Sequence, residues 1–354
     1  MKIETANRST SRVCLPGHPE VGARFEWALA LTALWILGGL YVDGWAHTNI
    51  PETIDSFFTP WHAVLYSGLG ASIAVVGITY LSNWRKGYDW LRSLPPVYMR
   101  SLLGAVILIV AGNLDFIWHS LFGFEEDVEA LVSPSHLSLA VGGVLMISGP
   151  LRMAWERSRS KENIIPWPAL LSLFTVLSIF TFFTSFSGAF THPHLFVGDV
   201  PAEDTYVWDT TLISYVLVTS ALLMGFILMA ILRWKLPPGS LTLLITGNAL
   251  LMFVMSISYT GEYWQVLIAA LLGGILADVL LYVLQPSRER VKALRWFSFL
   301  VPASLFLLYF LSLILTHGIW WNSNMWLGMI FFSGMTGLGL SWLAVPPYSL
   351  EASK

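Results

Sequence analysis

The sequence predicts an all-α fold, a polytopic transmembrane helix bundle of about ten spans with both termini in the cytoplasm. Three observations lead there. Of the 354 residues, 55% are apolar and only 12% charged, where a soluble domain carries roughly a quarter charged residues. Apolar runs recur at the length of roughly 20 residues that a spanning helix needs. Lys and Arg occupy every second loop and no other, the bias that retention of basic residues on the cytoplasmic side imposes.

Taken in order, residues 1–24 form a polar tail with Pro16 and Gly17. The tail lacks the charged start, short apolar stretch and small-residue cleavage site of a signal peptide, so the first span reads as a retained anchor. Spans then begin near residues 26, 61, 99, 136, 165, 209, 239, 264, 296 and 323. Only Ser258 to Tyr263 separates the seventh run from the eighth, which makes that pair a tight helical hairpin or a re-entrant element; the hairpin is the reading adopted. Asp278 lies inside the eighth run with no evident partner, in a polar cavity or against a neighbouring helix. Residues 25–160 form a four-helix half and residues 161–354 a six-helix half of unknown role.

Basic residues fall in Lys2–Arg24, Arg85–Arg100, Arg152–Lys161, Arg233–Lys235, Arg288–Arg295 and at Lys354. The alternate loops hold Glu52, Asp55, Glu125, Glu126, Asp127, Glu129, Asp199, Glu203, Asp204, Asp209 and Glu262. The outer face is therefore acidic, which concentrates cations and disfavours anionic substrates. Cys14 is the only cysteine, so a cysteine-rich metal cage and iron–sulfur ligation are excluded. A metal here must be held by imidazole and carboxylate.

One internal repeat organises the first four spans. Its first copy runs Asp43-Gly-Trp-Ala-His47, Glu52, Phe58-Thr-Pro-Trp-His62; the second runs Asp115-Phe-Ile-Trp-His119, Glu125-Glu126, Val132-Ser-Pro-Ser-His136. Asp and His four residues apart share one helical face. The Thr/Ser-Pro-x-His that follows reads as an N-cap, a proline at the first helical position and a histidine in the first turn. Each copy thus directs Asp, His and His to one depth at the outer surface. A carboxylate inside a span costs roughly 2.5–3.5 kcal/mol unless paired or coordinated, and all histidines but His18 map to outer helix ends.

Asp43, His47 and His62, with Asp115, His119 and His136, are therefore the candidate metal ligands, as one dinuclear centre or two mononuclear ones. Glu52, Glu125 and Glu126 are candidates to orient the imidazoles, or part of a solvated acidic loop. The pair His192 and His194 after the fifth span offers a weaker site, and His317, followed by Trp320 and Trp321, reads as an interfacial anchor. Trp45, Trp61 and Trp118 adjoin the ligands and are candidates to wall an apolar pocket. Nitrogen and oxygen donors suit copper, iron or zinc, with copper favoured by the Irving–Williams order.

These motifs resemble the C subunit of the copper membrane monooxygenases, the family of particulate methane and ammonia monooxygenases. Asp43, His47 and Phe58-Thr-Pro-Trp-His62 match that subunit's Asp-x-x-x-His and Phe-Thr-Pro-x-His; Asp115, His119, Glu125-Glu126 and Pro134-Ser-His136 match its neighbouring site. The likeness covers about residues 26–150, and Asp115 stands where the family usually has Asn. It implies copper, dioxygen and hydroxylation of a small apolar substrate arriving from the lipid bilayer, with electrons from a quinol or a separate donor protein. Whether partner subunits like the family's A and B exist stays open. The alternatives are a protein that captures, senses or transfers copper at the outer face of a bacterial or archaeal cytoplasmic membrane, and a zinc-dependent membrane hydrolase using Glu52, Glu125 or Glu126 as base. No nucleic-acid partner is expected.

Overall fold

The computed structural model describes residues 15–50, 58–123, 127–158, 164–199 and 204–347. Among these the chain is helical throughout, its only extended pairings being two isolated bridges. The helices are α1 Ala23–Asn49, α2 Pro60–Arg85, α3 Pro96–Phe122, α4 Asp127–Val132, α5 Pro134–Ile147, α6 Gly149–Arg157, α7 Trp167–Phe183, α8 Thr205–Ile231, α9 Ser240–Thr242, α10 Asn248–Met255, α11 Ile257–Thr260, α12 Gln265–Leu284, α13 Val291–Thr316 and α14 Ser323–Ala344.

Seven of these, α1, α2, α3, α8, α12, α13 and α14, are long and apolar enough to cross a membrane. Two bent pairs raise the number to at most nine, where the sequence suggested about ten. The fifth run is the difference. It yields α7, of 17 residues, about 26 Å at 1.5 Å per residue, against a hydrocarbon core of about 30 Å. This helix is buried along nearly its whole length; it is wrapped by other helices rather than by lipid.

Both bends have local causes. Pro150 lacks an amide hydrogen and breaks the fourth run at Ser148, so that α5 and α6 meet at 44°. Arg152 then bridges the break: its guanidinium donates to the Leu145 carbonyl at 2.9 Å, to Ser148 Oγ at 2.8 Å and to Ser101 Oγ on α3 at 2.9 Å. In the seventh run a π-helical turn at Leu243–Gly247 joins α9 to α10, and a 98° bend leads into the short helical turns of Ile257–Tyr263. These turns connect α10 to α12, which packs back against α9 and α10. The run Ser240–Tyr263 is thus a broken span or a re-entrant element packed against α12. Asp278 finds its partner inside it: the carboxylate accepts from the Thr242 and Leu241 amides at 2.9 and 3.2 Å and from Thr242 Oγ1 at 2.7 Å. It caps the N-terminus of a neighbouring helix, where a negative charge is favoured.

The two hairpins of the repeat are α1 with α2 and α3 with α5. Close backbone approach holds each together, the packing that glycine permits between apolar helices. Cβ atoms at Gly39 and Gly68 would lie 2.5 Å from Leu65 Cα and 2.9 Å from the Ile36 amide; one at Gly104 would lie 2.6 Å from the Met146 amide. Gly142 lies opposite Gly104, and it follows His136 by the same six residues that separate Gly68 from His62. The repeat therefore extends past the ligands into the helix interface that aligns them. α1 also packs against α7 and α10, while α12, α13 and α14 pack in succession and α14 returns to α8.

Candidate metal centre

Each half-site is assembled by the start of one helix and the end of another. Thr59 caps α2 by accepting from the His62 amide at 3.2 Å, with Pro60 in the first turn. Ser133 caps α5 by accepting from the His136 amide at 3.4 Å, with Pro134 following. These caps fix His62 and His136 in the first turn, facing the Asp and His of the preceding spanning helix. At its far end α1 is tied down by Asn49, which donates to the Met255 carbonyl and accepts from the Ser258 amide, both at 2.9 Å.

The result is two groups, Asp43 with His47 and His62, and Asp115 with His119 and His136, in each of which the ligand atoms lie within 4.8 Å of one another. No residue belongs to both. In the second group Asp115 Oδ1 is 3.5 Å from His119 Nε2 and 3.4 Å from His136 Nε2. In the first, Asp43 Oδ1 is 3.1 Å from His62 Nε2 and 3.9 Å from His47 Nε2. Donor atoms at about 2.0–2.1 Å around a tetrahedral ion lie about 3.3–3.4 Å apart, whereas a charge-assisted hydrogen bond closes to about 2.7–2.9 Å. The Asp115 group has the spacing of ligands; the Asp43 group straddles it.

The donor roles agree. Asp43 Oδ1 and Asp115 Oδ1 are buried and make no hydrogen bond. His119 Nδ1 lies 3.2 Å from the Gly123 carbonyl, which can only accept, so Nδ1 carries a proton and Nε2 faces Asp115. His136 Nδ1 lies 2.9 Å from Ser133 Oγ, a contact that turns its Nε2 toward Asp115 as well. Three ligands leave a fourth position open on a tetrahedral ion, the arrangement of reactive rather than structural sites. The Asp115 group is the more enclosed, with Asp115, His119 and His136 side chains 4%, 7% and 26% exposed, against 35% for His47.

Both groups open into one cavity of about 950 Å³, walled by aliphatic and aromatic residues such as Leu40, Leu65, Leu69, Phe182 and Phe183. Trp45, Trp61 and Trp118 are not in this wall; the ring of Trp118 lies tilted against that of Phe122. Tyr66 spans the two groups. Its ring lies 6.1 Å from that of His62 and its hydroxyl donates to Asp115 Oδ2 at 3.4 Å. It was legible as the residue four positions after His62 on the same face, though not as a partner of the other hairpin's aspartate.

Glu52, Glu125 and Glu126 lie outside the described residues. His192 and His194, weak candidates by sequence, line the same cavity. Burial, with His194 alongside, pushes the His192 imidazole down to about 4 against a hydrogen bond to the Ser185 backbone, and burial lowers His194. His317 is exposed beside Tyr263, with ring centroids 4.8 Å apart. Of its neighbours, Trp321 is buried and donates to Asp209 at 2.8 Å, and Trp320 donates to the Leu195 carbonyl at 2.9 Å. Compared with protein-family models, curated proteins and solved structures, the chain matches none.

Proposed function

We propose that this membrane protein binds copper at the two Asp-His-His groups and hydroxylates a small apolar molecule with dioxygen. The observation that carries the reading is that two three-ligand sets, each with an orphaned buried carboxylate oxygen, open into one cavity with apolar walls. A hydrolase acting on a polar substrate has no use for such walls. The likeness of the duplicated motifs to the C subunit of the copper membrane monooxygenases supports copper and dioxygen.

Copper, when bound, supplies an open coordination position for dioxygen and the change of oxidation state that its reduction requires. The chain's residues do the rest. The four imidazoles hold the ions; Asp43 and Asp115 offset their charge in a low-dielectric setting; Tyr66 fixes the orientation of Asp115. Leu65, Leu69 and the phenylalanines hold the substrate and keep bulk water out. Overall, one C–H bond, one dioxygen and one quinol give an alcohol, one water and a quinone, so the two electrons come from a lipid-soluble donor. The basic residues Arg85, Arg100, Arg152 and Arg157 sit at the helix ends opposite the ligands, which supports an outward-facing site under the positive-inside rule.

The test is turnover. Protein reconstituted in lipid with copper, a short-chain quinol and a short alkane should release the corresponding alcohol, and His62→Ala and His136→Ala should each abolish most of it. Copper-loaded protein that consumes neither oxygen nor quinol under these conditions refutes the hydroxylase and leaves capture and transfer of metal as its function.

A further inference from the structure

The cavity into which the two Asp-His-His groups open carries a second kind of donor set. His192 and His194 flank Pro193 at the start of a 3-10 turn, Pro193–Phe196, in the connection between α7 and α8. Both side chains line the cavity. Their ring centroids are 5.9 Å apart, the same separation as His47 and His62 and close to the 5.5 Å of His119 and His136. Two imidazoles that share one ion through nitrogens at about 2.0–2.1 Å place their centroids about 5–6 Å apart.

We propose that His192 and His194 form a third metal site, an all-imidazole one that takes a single monovalent copper ion. Three features set its chemistry apart from the Asp-containing groups. His194 Nδ1 is buried and makes no hydrogen bond, an acceptor left for a cation. The ring of His192 packs against that of Tyr215, with centroids 5.4 Å apart, which orients it in the cavity wall. The only carboxylates lining the cavity among the described residues are Asp43 and Asp115, so this pair offers no negative charge. A two-nitrogen set without a carboxylate suits a singly charged ion better than a dication, and the ring of Tyr259, 6.0 Å from that of His194, adds aromatic surface beside it.

Placed in the same cavity, the site gives cuprous ions a holding point from which the Asp-containing groups are reached without leaving the protein. The inference does not depend on what those groups do.

The experiment is anaerobic titration of the full chain with cuprous ion against a chromophoric cuprous chelator, comparing wild type, His192→Ala/His194→Ala and a variant carrying Asp43→Asn, Asp115→Asn, His47→Ala, His62→Ala, His119→Ala and His136→Ala. One cuprous equivalent should vanish in the first variant and persist in the second, with about 10²–10³-fold weaker residual binding when a single histidine is replaced. Uptake unchanged by loss of both histidines, or no uptake by the variant lacking the Asp-His-His groups, overturns the proposal. Wild type that binds one cuprous ion, lost with His192 and His194, supports this site and shows that the other two take no cuprous ion. If the double alanine variant does not fold, X-ray absorption at the copper edge of the second variant decides: two nitrogen neighbours support the site, and a shell containing oxygen overturns it.

Discussion

Replacement of Gly39 by alanine tests whether helix packing sets the ligand geometry. A Cβ there lies 2.5 Å from Leu65 Cα and 2.7 Å from its amide nitrogen. Both are backbone atoms that cannot rotate away, and ordinary contact begins at 3.4 Å, so α1 and α2 must part by about 0.9 Å. Gly39 is one helical turn below Asp43, and Leu65 three residues beyond His62, so the ligands share that displacement. Asp43 Oδ1 to His62 Nε2 then grows from 3.1 Å to about 4.0 Å, a span that bonds of about 2.0–2.1 Å bridge only with the ligands directly opposite one another. His62 drops out of a tetrahedral set. Apparent binding energies of about 10–16 kcal/mol for four-ligand zinc sites assign about 3–4 kcal/mol to each ligand, a loss of about 10²–10³ in affinity. Gly38 is the control, since a Cβ there meets nothing within 4 Å. Competition titrations against a chelator should show Gly39→Ala weakened at one of two sites and Gly38→Ala unchanged. Equal effects of the two substitutions, or none from Gly39→Ala, refute the reasoning.

Three more outcomes follow from the same geometry. Tyr66→Phe removes the hydroxyl that donates to Asp115 Oδ2 and should weaken metal at the Asp115 group by about 10-fold, the lower end for an outer-shell partner because the bond is long; chelator competition reads it, and unchanged affinity would contradict an orienting role. Dilution of metal-loaded protein into chelator should release metal in two phases, the faster from the Asp43 group, whose His47 is the most exposed ligand; His62→Ala should remove the fast phase and His136→Ala the slow one, and a reversed assignment would undo the ranking by burial. Asp278→Ala leaves the Leu241 and Thr242 amides without their acceptor and should cost about 2–4 kcal/mol of stability, seen as a lower melting temperature in detergent with metal content per folded chain unchanged; a loss of metal instead would give Asp278 a part in the site.

Much of this was legible in the sequence because the bilayer leaves a helix few alternatives. The duplicated Asp-x-x-x-His and Thr/Ser-Pro-x-His segments specify helix ends, caps and facing side chains through local spacing alone, and Thr59, Ser133 and the six ligands sit as that spacing predicts. What stayed hidden depends on contacts between segments far apart in the chain. Asp278 looked unpaired because its partners are backbone amides at the start of α9, which composition does not reveal. Tyr66 is ordinary within α2 and matters only because α3 brings Asp115 to its hydroxyl. Nor does the sequence show that the Leu195 carbonyl and Asp209 accept from Trp320 and Trp321. The span count fell short at α7, where apolar composition cannot distinguish a helix facing lipid from one enclosed by other helices.

The most direct measurement is elemental analysis by mass spectrometry of purified protein beside the His62→Ala, His136→Ala and combined variants. The account predicts one ion fewer per chain in each single variant and two fewer in the combined one, with copper as the element lost. Metal content that does not change when both histidines are removed would contradict it.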